Sequence, residues 1–389
     1  MKEGWEYKKL GEVCERITDG SHNPPKGISS SEYMMISSQN VFNDSINLDD
    51  VRYLSKDDFL KEDKRTLIKT NDVLLTIVGT IGRCAVVSEG IRNFTLQRSV
   101  AVLSPSRIIE PRYLMFCCIG NNDNLNKNAH GVAQRGIYLR QLAKLEIPVP
   151  SLHIQKQIVS ELDLLSGVIK KQKAQLEELD KLAQSIFYDI FGDPVTNNLF
   201  QVSLLGDIID KLKYGTSSPP SFSPSGHKFI RATNIKNGSI VEDNMMFIDD
   251  TEASKLEKCK LTNRDLIIVR SGVNAGDVCR IGDEYAGQYA GYDIIITANT
   301  EMINTIFLNS LLNNRNYIDL VIKPLTRRAA QPHLNAQQVK SMSIPIPPFA
   351  LQQEFALKIE AIESMKAKVL QSLKEAEKLF NSRINYYFN

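Results

Sequence analysis

The sequence predicts a tandem duplicate of a mixed α/β (α+β) domain, each copy followed by one long α-helix. Three observations predict it: an internal repeat across the chain, short β-branched runs between turn clusters, and two stretches of sustained 4-3 apolar spacing. Trp5-x4-Leu10-Gly11-Glu12 recurs as Phe200-x4-Leu205-Gly206-Asp207. Gly20-Ser21, followed by Pro24-Pro25, recurs as Gly215-Thr216, followed by Pro219-Pro220. Asp72-Val73-Leu74-Leu75 with Gly79 recurs as Asp265-Leu266-Ile267-Ile268 with Gly272. Ile147-Pro148-Val149-Pro150 recurs as Ile344-Pro345-Ile346-Pro347, and Gln155 and Phe191 match Gln352 and Phe388. The matches keep their order at a nearly constant offset, as a duplication with loop insertions requires.

Within each copy, the apolar runs Val73–Val78 and Ala101–Leu103, then Leu266–Val269 and Asp293–Thr297, read as strands separated by Gly, Asn, Ser and Pro clusters. Proline ends regular structure, so each Ile-Pro-x-Pro reads as a hinge. The expected organisation is a first domain over 1–147, a hinge and helix over 148–195, a second domain over 196–344, and a hinge and helix over 345–389. The first helix carries a seam of Ile158, Leu162, Leu165, Ile169, Gln172, Leu176, Leu179, Ala183, Ile186 and Ile190. The second carries Phe355, Ile359, Ile362, Lys366, Val369, Leu373, Ala376, Phe380, Arg383 and Tyr387. Such spacing over several heptads predicts a coiled-coil pair and leaves parallel or antiparallel pairing open. Polar Gln172, Lys366 and Arg383 cost stability there and are candidates to fix register. The aromatic exits Phe187, Tyr188, Phe191 and Tyr386, Tyr387, Phe388 suit either a cap on the bundle or a docking surface.

Composition narrows the function. Hydrophobic residues make up 42% and charged residues 24%, ordinary for a globular protein, so wholesale disorder is excluded. No apolar run is long enough to span a membrane and the N-terminus lacks a signal region, so a cytoplasmic location is expected. The 6 cysteines form no CxxC pair, so zinc is not expected and the thiols should be reduced. The net charge of +2 means that any polyanion partner must be met by local clusters.

No catalytic constellation stands out. Asn23-Pro24-Pro25-Lys26 resembles an amino-methyltransferase motif but has lysine where the aromatic residue belongs. Glu62-Asp63-Lys64 after Asp57 and Asp58 mimics a nuclease metal site but reads as an exposed polar helix. Neither a phosphate-binding loop nor a nucleophile elbow occurs, so a binding role is expected, not an enzyme. The basic residues of two acid-free stretches precede the two hinges. Residues 124–145 hold Lys127, Arg135, Arg140 and Lys144; residues 320–353 hold Lys323, Arg327, Arg328 and Lys340. Gln134 and Arg135, and Arg327, Arg328 and Gln331, suit base edges, since arginine pairs with guanine and glutamine with adenine. Ser21, His22, Asn23 and Lys26, with Thr216 and Ser217, form polar loops suited to phosphate. Arg270-Ser271-Gly272 and Val78-Gly79-Thr80 end strands, where loops carry function.

With these residues in place, the chain resembles the specificity subunit of type I restriction-modification systems. The resemblance covers essentially the whole chain and rests on Ile147-Pro148-Val149-Pro150 with Gln155, Ile344-Pro345-Ile346-Pro347 with Gln352, the Trp5/Phe200 to Leu-Gly starts, and the Asp72/Asp265 strands with Gly79, Gly82, Gly272 and Gly276. His153-Ile154 and Ala350-Leu351 depart from the usual Ala-Glu before the glutamine. The resemblance implies two target recognition domains, each reading one half of a bipartite double-stranded DNA sequence. It implies that the helices pair as an antiparallel coiled coil, set the spacer, and dock two modification subunits. Those subunits would hold S-adenosylmethionine, with none bound by this chain, and motor-nuclease subunits would join them. Because the candidate reader loops differ between copies, an asymmetric target is expected. Two other readings compete: a coiled-coil scaffold for protein partners, and the specificity subunit of a related bifunctional system. A scaffold would bind with little salt dependence, whereas DNA binding falls steeply with salt.

Overall fold

A computed structural model describes residues 5–91, 93–127, 129–130, 135–196, 198–326 and 332–388. The chain divides into two compact units. Unit 1 runs to Lys173 and takes back the segment from Gln371; unit 2 is Ala174–Leu370.

In unit 1 the strands are β1 (Glu6–Lys9), β2 (Cys14–Asp19), β3 (Tyr33–Ile36) and β4 (Arg52–Leu54), then helix α1 (Lys56–Thr66). There follow β5 (Val73–Thr76), β6 (Cys84–Val86), β7 (Phe94–Leu96), β8 (Val100–Pro105), helix α2 (Pro111–Gly120) and β9 (Glu146–Val149). The long helix α3 (Leu152–Phe191) leaves unit 1 and ends in unit 2. An antiparallel four-stranded sheet has the order β2-β8-β5-β6. A three-stranded sheet has the order β4-β3-β7, with β3 and β7 parallel.

Unit 2 repeats the plan. Its elements are β10 (Gln201–Leu204), β11 (Ile209–Tyr214), β12 (His227–Ile230), β13 (Met246–Ile248), β14 (Asp265–Ile268), β15 (Val278–Arg280), β16 (Tyr289–Ala290), β17 (Ile294–Ala298), α4 (Thr305–Leu312), β18 (Ser343–Ile346) and the long α5 (Phe349–Phe388). The sheets have orders β11-β17-β14-β15 and β13-β12-β16, the same as in unit 1. Among the described residues no helix is long and apolar enough to cross a membrane.

The central strands carry unbroken apolar runs, Val73–Leu75 and Val100–Leu103 in unit 1 and Leu266–Ile268 and Ile294–Ile296 in unit 2, because both faces of the sheet are covered. Successive side chains point to opposite faces. Val73 and Leu75 therefore pack among α2 and the helices, whereas Leu74 packs on Ile36, Phe94 and Leu96 of the small sheet. Leu266 and Ile268 against Ile267 divide the same way in unit 2. Each strand is opened by a buried aspartate: Asp72 accepts from the Lys69 N–H (2.8 Å) and Asp265 from the Thr262 N–H (2.8 Å).

The Ile-Pro-x-Pro segments are not hinges. Pro148 lies inside β9, opposite Tyr7 of β1, and Pro345 lies inside β18, opposite Val202 of β10. Each sheet has only two strands, so the missing proline N–H falls on an edge that needs no donor. The glutamine of the motif then locks strand to helix. Gln155 is 0% exposed; its Nε2 donates to the Pro150 carbonyl (2.8 Å) and the Ile108 carbonyl (3.0 Å), and its Oε1 accepts from the Glu110 N–H (2.9 Å). Gln352 does the same with the Pro347 carbonyl (2.9 Å) and the Asn304 N–H (2.9 Å).

The seam positions are buried or half-buried along both helices. In unit 1, Glu161 meets Arg383 (2.9 Å) and Tyr387 (2.6 Å), Gln172 donates to Ser372 (2.6 Å), and Lys173 pairs with Glu377 (2.8 Å). In unit 2, Asp180 pairs with Lys366, and Phe187 packs on Phe355. Rising numbers meet falling numbers in both units, so the pairing is antiparallel. The three polar seam residues all bond across the helix pair. Of the two readings of the aromatic exits, the cap describes Phe187, Phe191 and Phe388, which are buried, whereas Tyr386 is exposed. Phe388 is buried against Tyr113 (ring centroids 5.4 Å) and over Gly120, where a Cβ would crowd it. Phe191 is buried against Phe307 (4.7 Å) and Phe355 (5.1 Å).

A charged cluster fastens α2 and α3 to the turn at Asp44. Arg112 donates to Asp44 (2.8 Å) and through Nε to both Asp163 oxygens (3.0 and 2.9 Å), while Lys170 donates to Asp44 (3.0 Å). Burial pushes the Asp44 carboxyl up, but the hydrogen bonds from Arg112 and Lys170 outweigh it and hold the group below its ordinary 3.8.

Two outcomes follow from these locks. Gln155→Ala or Gln352→Ala leaves buried backbone groups unsatisfied and is expected to cost about 2–4 kcal/mol in denaturant unfolding. Because the Asp44 value is depressed in the folded state, its contribution is present above the unfolded value and is lost as pH falls through the folded one. Acidification below about pH 4 should therefore destabilise the chain, and Arg112→Met should make thermal unfolding less sensitive to pH in that window.

Candidate nucleic-acid interface

The end of the central sheet gathers distant segments into a cleft of about 440 Å³ in unit 1. Its lining includes Asp19, His22, Arg65, Val78, Arg98, His130 and Tyr138. The end of β2 delivers Asp19, the loop after it His22, α1 delivers Arg65, and the β7–β8 connection delivers Arg98. Buried Asp19 is the electrostatic centre: Arg65 pairs with it and donates through Nε to its carbonyl (3.0 Å), and His22 Nε2 lies 2.8 Å from its carboxylate. That one acid is thus already compensated, while Arg98, Arg135 and Arg140 are exposed. Tyr138 is 70% exposed, and its ring lies near-parallel to His130 (6.5 Å). His130 in turn accepts from the Gln141 amide (2.8 Å). Cations interleaved with an exposed aromatic ring suit phosphates and bases.

A backbone bridge brings the basic stretch to the glycine-ended strand. Val78 pairs with Gly136, the Ile137 N–H donates to the Ile77 carbonyl (2.9 Å), and the Gly79 N–H donates to the Arg135 carbonyl (3.2 Å). Unit 2 builds the same bridge: Ser271 pairs with His333, the Leu334 N–H donates to the Arg270 carbonyl (2.8 Å), and the Gly272 N–H donates to the Pro332 carbonyl (3.3 Å). There the Arg270 guanidinium stacks on the Tyr214 ring at 4.9 Å, and the backbone N–H of Arg270 donates to the carboxylate of buried Asp293 (3.0 Å). Burial pushes the Asp293 carboxyl up, with Arg270 opposing.

The predicted site residues divide accordingly. His22, Arg135, Arg140 and Arg270 stand at or beside these bridges. Ser21 does not act as an open phosphate donor: it is buried, its N–H donates to the Leu96 carbonyl (2.7 Å), and its own carbonyl accepts from Arg98 (2.9 Å). The glycine before it serves this close approach, since a Cβ at Gly20 or Gly215 would collide with the carbonyl of Leu96 or Gly291. Thr216 turns its hydroxyl onto Ser218 (2.9 Å), whereas Ser217 is exposed. Asn23 and Lys26 are exposed but do not line the cleft. Gln134, Arg327, Arg328 and Gln331 lie outside the described residues. Arg65, Arg98, His130, Tyr138 and Tyr214 were not singled out from the sequence; an acid-free pattern marks only residues that are neighbours in the chain.

The duplicated bridge and its basic surroundings are what a two-part DNA reader needs, and comparison with known proteins decides the family. The family described as Type I restriction modification DNA specificity domain matches residues 2–180 and again 197–376. The chain belongs to this family. It is 20% identical to the EcoKI specificity subunit of Escherichia coli K12 over 93% of this chain and 82% of that one. It is 26% identical to the putative MjaX specificity subunit of Methanocaldococcus jannaschii over 97% and 92%. Its fold is similar to the S subunit of a type I system from M. genitalium, with a TM-score of 0.60, 13% identity, and 99% and 96% of the two chains covered. A second solved chain, from a study of type I complex assembly and conformational transition, gives a TM-score of 0.53 at 15% identity, covering 99% and 97%.

Alanine at Arg98 or Arg140 is expected to weaken duplex binding alike for all sequences. Each should also flatten the plot of log affinity against log salt by about one unit, as for one lost phosphate contact. An unchanged slope in both variants would remove these residues from the interface.

Proposed function

We propose that the chain is the non-catalytic specificity subunit of a type I complex, and that each unit reads one half of a bipartite, asymmetric DNA target. One observation carries the reading: the same backbone frame holds different chemistry in the two units. Ile77 at the bridge corresponds to Arg270, Asp19 to Tyr214, and Tyr138, which caps the short helix Leu139–Leu142, to Asn335, which caps Ala336–Lys340. A shared frame with changed side chains suits two different half-sites. The helices α3 and α5 set the spacer and dock two modification subunits. Those subunits hold S-adenosylmethionine and methylate adenine, and motor-nuclease subunits complete the restriction enzyme. The half-sites lie about one helical turn apart, as for two readers on one face of a duplex. The thiols support a non-catalytic role, because burial pushes Cys14 and Cys279 up to about 12 and they stay protonated.

The test is to co-express the chain with the modification subunit of its own genome and sequence the methylated adenines. A single bipartite, asymmetric motif is expected. Replacing residues 1–147 by those of a relative should change one half alone. A palindromic motif, or changes in both halves, would contradict the assignment. Protein binding with no DNA binding at low salt would favour the scaffold instead.

A further inference from the structure

The turn between β14 and β15 holds an apolar side chain almost wholly in water: Val273 is 99% exposed. The turn is tightly built. Gly272 and Gly276 take φ of +92° and +99°, which an L side chain rarely adopts. The Ala275 N–H donates to the Gly272 carbonyl (3.1 Å), the Asp277 N–H to the Asn274 carbonyl (3.0 Å), and the Gly276 N–H to the Val269 carbonyl (2.9 Å). The base of the turn is Arg270 stacked on Tyr214, with His333 bridged to Ser271. Unit 1 has a turn one residue shorter, with Gly79 and Gly82 at +80° and +93°, in which exposed Thr80 follows the first glycine as Val273 follows Gly272. Both tips are small and β-branched. Such a side chain has little rotamer freedom to lose on contact.

A tip of this kind gives nothing to the free protein, since the valine packs on no neighbour. Beside a stacked arginine it presents methyl groups to whatever the arginine meets. The apolar feature that a duplex offers there is the thymine C5-methyl group in the major groove. We propose that Val273 is a specificity-determining residue whose methyl groups meet the C5-methyl of one thymine in the half-site of unit 2. This rests on the DNA-recognition function above.

The test uses the full chain in complex with its modification subunits. Each thymine of the half-site assigned to residues 196–344 is replaced in turn by deoxyuridine, which removes only the methyl. Wild-type affinity should fall about fourfold at one position, the worth of one buried methyl-sized group. Val273→Ser should lose that sensitivity, and Val273→Thr, which keeps one methyl, should retain part of it. Since the side chain touches no core, all three proteins should fold alike. A half-site without thymine, insensitivity at every thymine, or full sensitivity in Val273→Ser would each overturn the proposal. A complex that binds no duplex at all overturns the recognition function as well, whereas normal binding with no deoxyuridine effect overturns the role of Val273 alone.

Discussion

The fold depends on one constraint: each unit buries the aromatic end of a long helix that begins in the other. Helix α3 starts beside the core of unit 1 and ends with Phe187 and Phe191 in the core of unit 2. Helix α5 starts in unit 2 and ends with Ile384 and Phe388 in the core of unit 1. A large apolar side chain contributes roughly 1.5–3 kcal/mol when fully buried, so the two at each end weigh heavily against a stability of about 5–15 kcal/mol. The same burial fixes direction, because a parallel pair would bring the wrong helix end to each core. Glu161 with Arg383, and Asp180 with Lys366, then complete the register in unit 1 and unit 2.

This constraint was only half legible in the sequence. The duplication, the strands and the seam follow from period and order, which are local signals. The direction of the pair is not local, and the 4-3 spacing is equally compatible with both. The aromatic exits stayed open between a cap and a docking surface because a sequence shows that Phe388 is apolar, not that Gly120 has made room for it. The proline pair misled for a related reason. Proline removes a donor, which breaks a strand only where a neighbour needs that donor; β9 and β18 each have a single neighbour. The glutamine of the same motif was visible as a repeat, but its meaning lies in carbonyls and N–H groups dozens of residues away.

The candidate interface divides along the same line. Arg135, Arg140 and Arg270 were readable because acid-free stretches and strand ends are contiguous in the chain. Arg65 becomes a neighbour of His22 through Asp19, at the end of β2, and Arg98 comes beside them through its N–H bond to the Ser21 carbonyl. The glycines carried a signal whose cause was misassigned. The loops that Gly20 and Gly215 begin suited phosphate or plain turns, yet the demand for glycine there is steric, set by the carbonyl of Leu96 or Gly291. The backbone N–H and carbonyl of Ser21 are correspondingly spent on pairing with Leu96 and Arg98.

These steric and hydrogen-bonded demands explain why two units of one plan can differ at their reading face. The frame is held by groups that tolerate little change: the buried Asp72 and Asp265, the locked Gln155 and Gln352, and the glycines at close approach. The bridges at Val78–Gly136 and Ser271–His333 use backbone atoms only, so they place no demand on the side chains they carry. The backbone pairing therefore persists while the side chains differ: Ile77, buried in the core of unit 1, stands where half-buried Arg270 stands in unit 2. The near-neutral total charge fits this division. A frame held by burial and backbone hydrogen bonds needs no net charge, and the cations that meet DNA can be confined to two small faces, where Asp19 is already balanced by Arg65 and does not oppose them.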